Sequence, residues 1–185
     1  MKAVSCNNII PKISSLMFLL ISILLILSFL PPETMLLGKK IWYNPPKIID
    51  WNFDAKSTSQ QIFDVYSLTH ITHGILFFLA FKLLGASNLN ALYMSLGLEI
   101  LYEFVSNTPK AIEIYRDKWP NYRGDSIINI NGDILCALLG ILLVYKLPFV
   151  GILFAIISEI ILYKYSAGLL AHLQTNYTRT IDLLL

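Results

Sequence analysis

Three sets of ionisable or amide residues interrupt otherwise apolar stretches of this chain: His70-x-x-His73, Glu99-x-x-x-Glu103 and Asp125-x-x-x-Asn129-x-x-x-Asp133. Residues three and four apart are neighbours on a helix surface, so each set forms one stripe on one face. Imidazoles mixed with carboxylates suit zinc or another divalent transition metal. The same groups can act as general acid and base if a substrate head group enters. On this chemistry His70, His73, Glu103 and Asp133 are candidate metal ligands. Glu99, Glu103, Asp125, Asn129 and Asp133 are candidate catalytic groups, and Arg116 and Arg123 are candidate contacts for an anionic substrate group.

Each set also has a structural reading. The histidines could hydrogen-bond loop backbone at an interface, and Asp125, after Gly124, has the residue type of a helix N-cap. Glu99 and Glu103 could pair with Arg116 or Arg123. Capping accounts for neither Asn129 nor Asp133.

The elements that must position these groups follow from composition. The chain has 185 residues, 56% of them hydrophobic, and a mean hydropathy of +0.63, too apolar for a soluble domain of this size. A net charge of +2 with scattered basic residues argues against a nucleic-acid partner. Cys6 and Cys136 lie too far apart to organise a disulfide framework. The pattern predicts an all-α fold: an integral membrane helical bundle, residues 1–185 forming one domain, with membrane lipids as its surroundings. About five transmembrane helices are expected, near 13–31, 68–87, 89–106, 125–146 and 149–166. The first has the features of an uncleaved signal anchor, with Lys2 and Lys12 before the apolar run Leu16 to Leu30 and no small-x-small cleavage site after it. That reading places the N-terminus in the cytoplasm. An extramembrane loop spans 32–67, a polar loop spans 107–124, and tight turns fall at Gly85-Ala86-Ser87-Asn88 and Lys146-Leu147-Pro148.

Consecutive helices alternate in direction, which sets the depth of each stripe. His70 and His73 open the second helix, Glu99 and Glu103 close the third, and Asp125, Asn129 and Asp133 open the fourth. All three stripes therefore fall at the long-loop side, within roughly 12 Å of one level at about 1.5 Å per residue. Glu159 and His172 stand alone and are expected to be structural. Tyr102, Tyr115 and Tyr122 have the character of interfacial belt residues, and Gly132, Gly140 and Gly151 suit close helix packing. No nucleophile elbow, P-loop, dinucleotide fingerprint or paired-cysteine metal motif is present.

The run Ser59-Gln60-Gln61-Ile62-Phe63-Asp64-Val65-Tyr66-Ser67-Leu68-Thr69-His70-Ile71-Thr72-His73-Gly74 continues into Glu99-x-x-x-Glu103-x-x-x-Asn107 and Tyr122-Arg123-Gly124-Asp125-Ser126-x-x-Asn129-x-x-Gly132-Asp133. Together these resemble a family of uncharacterised bacterial inner-membrane proteins, over about Trp51 to Val144. The sequence departs from that pattern at Gln61, where histidine is expected, at Val65, where tryptophan is expected, and in lacking a cysteine-containing stretch before Trp51. A more distant similarity is to VanZ-like membrane proteins, carried by Asp125, Asn129 and Gly132 with Arg123 upstream. The resemblance implies a multi-pass protein of the bacterial inner membrane. Two functions fit: a metal-dependent enzyme acting on a lipid or cell-envelope substrate, or a non-enzymatic binding or assembly protein with a structural polar network.

Overall fold

The computed structural model describes residues 46–53, 56–117 and 119–164. The expected first helix over 13–31, Cys6 and His172 lie outside the described residues. Among the described residues the fold is mostly helical, with five helices: α1 (Ser67–Leu83), α2 (Asn88–Ser106), α3 (Pro109–Arg116), α4 (Ile127–Lys146) and α5 (Pro148–Lys164). Two short strands, β1 (Ile49–Asp50) and β2 (Phe63–Asp64), pair in parallel and tie the segment before α1 together.

Local chemistry sets the helix ends. The Ser87 hydroxyl accepts from the Asn90 N–H at the start of α2, and Ser126 does the same for Asn129 at the start of α4. α1 ends in a Schellman turn: the Ala86 N–H reaches the Phe81 carbonyl, the Gly85 N–H reaches Lys82, and Gly85 adopts φ +84°. Pro109 ends α2 by pushing Thr108 into extended backbone, and the Thr108 hydroxyl then caps α3. Helix α3 lies in the stretch expected as a polar loop. Its eight residues, PKAIEIYR, lack a long apolar run, so the membrane-helix pattern could not find it.

Helix α1 packs against α2, α4 and α5. Its approach to α4 is close enough that a side chain on Gly74 would strike the Ala137 carbonyl, and one on Gly140 would strike that of Ile71. Ile75, Phe78, Leu92, Leu96, Ile141 and Val144 form a dry core toward the end of α1, the start of α2 and the end of α4. The opposite end of the same helices is polar. Along α5, Phe149, Ile152, Ile156 and Ile160 point outward and are exposed. Among the described residues one helix, Ile127–Lys146, is long and apolar enough to cross a bilayer, and most of it is buried against its neighbours.

Candidate metal centre and its cavity

The segment before α1 builds the rear of the site. The Asp64 carboxylate accepts from the backbone N–H groups of Tyr66 and Ser67, so it supplies the cap that Tyr66 does not. Its other oxygen accepts from the N–H of Ser59, a residue held at φ 58°. Burial pushes the Asp64 carboxyl up to about 6; the backbone donors Tyr66 and Ser59 oppose that rise and the negative charge of Asp125 adds to it. The Ser67 hydroxyl accepts from the Asp64 N–H at 3.1 Å and donates to Asp133 Oδ1 at 3.2 Å.

Asp133 leads to the cluster at the centre of the polar end. His70 Nδ1 lies 2.5 Å from Glu99 Oε1 and 3.2 Å from Glu103 Oε1, and His70 Nε2 lies 3.7 Å from Asp133 Oδ2. His73 Nδ1 is 3.1 Å from Glu99 Oε2. All five residues are buried, Glu99 completely. A neutral imidazole carries one N–H, yet both His70 nitrogens face carboxylates. Either a second proton or a metal cation on that ring satisfies both sides. Two sets of donor atoms lie within 4.8 Å of one another: His70, His73 and Glu99, and His70, Glu103 and Asp133. The expected ligands His70, His73, Glu103 and Asp133 are therefore spread over both sets, and Glu99, expected as an acid or base, stands with the ligands.

Asp125 joins the cluster from the side. The N-cap of α4 is Ser126, and the Asp125 carboxylate instead accepts from Asn107 Nδ2 at 2.6 Å and from the Tyr122 hydroxyl at 3.0 Å. Asn107 also donates to the Glu103 backbone carbonyl and accepts from the Asp125 N–H. Burial holds the Tyr122 phenol well above its ordinary range, and the Asp125 charge adds to this, so the phenol keeps its proton and donates. Asn129 is fully buried one turn before Asp133; among the described residues neither atom of its side-chain amide has a hydrogen-bond partner. Glu99 and Glu103 pair with the histidines, while Arg116 and Arg123 lie exposed, Arg116 donating from Nε to the Tyr122 carbonyl.

A cavity of about 80 Å³ opens over His70, Glu103, Asp125 and Asp133. Tyr102, Tyr115 and Tyr122 line it together with Tyr66, Trp119 and Phe53, where sequence reasoning placed the first three in an interfacial belt. That reasoning also passed over Asp64, Ser67 and Asn107. The signal for them was present: Asp64, Ser67, His70 and His73 recur every three residues, and Asn107 continues the fourfold spacing of Glu99 and Glu103.

The sequence model of the family described as "Protein of unknown function (DUF2585)" matches residues 35–171, which include every residue of this site. A UPF0314 protein of Brucella anthropi is 39% identical over 94 residues, covering 49% of this chain and 48% of its own. A UPF0314 protein of Sinorhizobium fredii is 37% identical over 112 residues, covering 58% and 57%. One from Paracoccus denitrificans is 35% identical over 105 residues, covering 53% and 54%. The chain thus spans about half the length of these relatives. No solved structure matches it. With three-quarters of its length matched by the family's sequence model, the chain belongs to the bacterial protein family DUF2585.

Proposed function

We propose that this chain is a multi-pass protein of the bacterial inner membrane, its N-terminus cytoplasmic, in which the His/Glu/Asp cluster binds a divalent metal and acts on a lipid or cell-envelope substrate. The observation that carries the reading is the convergence of His70, His73, Glu99, Glu103 and Asp133, from three helices, beneath one open cavity. Apolar side chains facing outward along α5, the apolar span of α4 and the polar groups gathered at one end of the bundle support the membrane setting. The donor set of imidazole and carboxylate fits zinc. Bound there, such an ion supplies Lewis-acid polarisation of a substrate oxygen.

The chain's own groups do the rest. His70 would hold the ion either with His73 and Glu99 or with Glu103 and Asp133; Ser67 and Asp64 orient Asp133 from behind. Glu103 and Asp133 reach both the cluster and the cavity, which suits them to move a proton to or from a bound substrate. Asp125, fixed by Asn107 and Tyr122, lines the cavity beside them, and Asn129 offers a buried amide below. Arg116 and Arg123 follow Tyr115 and Tyr122 in sequence and meet anionic groups at the outer surface.

A non-enzymatic reading draws on one observation: the histidines and glutamates already pair at 2.5–3.2 Å, as a structural network would. Metal analysis of the full chain purified in maltoside detergent separates the two. A stoichiometric divalent ion, bound more weakly by His73→Ala, is expected; absence of stoichiometric metal from both proteins overturns the metal-dependent reading.

A further inference from the structure

The walls of the cavity differ in chemistry from its floor. Phe53, Tyr66, Tyr102, Tyr115, Trp119 and Tyr122 form the walls. They meet edge to face: Tyr66 against Trp119 with ring centroids 6.2 Å apart and planes at 79°, Tyr115 against Tyr122 at 5.5 Å and 87°, and Phe53 against Tyr66 at 6.4 Å and 77°. Six aromatic side chains from separate parts of the chain thus border one space. The floor carries three carboxyl groups, Glu103, Asp125 and Asp133, with His70, and among the described residues that line it none is lysine or arginine. Carboxyl groups thus make up most of the polar part of the floor.

Size and a spare polar group narrow the ligand further. The cavity, of about 80 Å³, is roomy enough for more than one water and so admits a small organic head group. Thr69 lines the same space, is only 7% exposed, and its hydroxyl has no hydrogen-bond partner among the described residues. A buried hydroxyl of this kind is costly unless a ligand oxygen meets it.

We propose that the aromatic cavity above the His/Glu/Asp cluster receives an organic ammonium group, with a trimethylammonium head group such as choline as its best fit. The π faces attract the diffuse cation, as aromatic cages do. The carboxylate floor supplies the opposing charge, and Thr69 meets the oxygen two carbons away. This deepens the reading of the cavity as the substrate site and rests on it. It also separates two roles: the exposed arginines meet anionic groups outside, and the cavity selects the cation.

The test is isothermal titration of the full chain in maltoside detergent with choline chloride and with dimethylbutanol, its uncharged carbon isostere. Choline should bind at least about tenfold more tightly than the isostere. Trp119→Leu should weaken choline about tenfold while Trp119→Phe, which keeps an aromatic face, stays close to the parent. Dihexanoyl phosphatidylcholine then identifies the source: tighter binding than choline marks a lipid head group, and equal binding marks the free cation. Equal binding of choline and isostere, or binding of neither, overturns the proposal. Metal content measured on the same samples keeps the two readings apart. Metal without choline binding removes the ammonium site alone, and choline binding without metal removes the metal centre alone.

Discussion

His70 Nδ1 lies 2.5 Å from Glu99 Oε1, joining helices that begin more than twenty residues apart in the chain. The same imidazole turns its Nε2 toward Asp133 on α4, so one ring links carboxylates from two further helices to α1. No other residue of the cluster belongs to both candidate donor sets.

His70→Ala should therefore do more damage than His73→Ala. Losing His70 dismantles both donor sets, while losing His73 leaves His70, Glu103 and Asp133. Equilibrium zinc titration checks this: His73→Ala is expected to retain weakened binding and His70→Ala to lose measurable binding. Equal loss in the two variants would contradict the central position of His70.

Asp64 gives a pH dependence with a definite sign. Its carboxyl is pushed up to about 6 from an ordinary 3.8. An acid that holds its proton more tightly when folded stabilises the fold below its unfolded value, and this contribution is lost as pH rises through its folded value. At 1.36 kcal/mol per unit, stability from this group falls by about 3 kcal/mol between roughly pH 4 and pH 7. Chemical denaturation across that range should show the slope, and Asp64→Asn should flatten it. An unchanged slope in the variant would assign the titration elsewhere.

Ser126 rather than Asp125 starts α4, so the two neighbours should respond differently. Ser126→Ala removes the acceptor for the Asn129 N–H and a buried bond to the Gln60 carbonyl. A loss of about 1–2 kcal/mol in unfolding free energy is expected. Asp125→Asn keeps the cap and should spare most of that stability, although it alters the bonds to Asn107 and Tyr122.

Gly140→Ala tests the α1–α4 contact. The added methyl meets the Ile71 backbone carbonyl, which has no flexible end to move aside. Overpacking of this kind should cost about 1–3 kcal/mol. Gly97→Ala has open space around it and serves as the control, expected to unfold at or above the parent's denaturant midpoint.

The local chemistry of the helices was legible in the sequence because it repeats over a few residues. The apolar stretches, the glycine turn at Gly85 and the stripes formed by His70/His73 and Glu99/Glu103 all depend on neighbours within about one turn. Helical spacing even placed the stripes at one end of their helices. Which stripes meet was decided only in three dimensions. Ser67 reaches Asp133 across 66 positions and Asn107 reaches Asp125 across 18, distances over which no periodicity carries information. The same limit hid the tyrosines. Tyr102, Tyr115 and Tyr122 have the composition of an interfacial belt, and only the fold of α3 and the following loop over α1 and α2 turns them into the walls of a cavity. The turn at Gly124 with φ +80° leaves Ser126 to cap α4, while Asn107 and Tyr122 bind the Asp125 carboxylate. Residue types and spacing determined which groups were available for chemistry. Close packing of α1 against α4 and α2 determined which of them share a site, because burial forces each carboxylate and imidazole to find its partner across helices rather than in water.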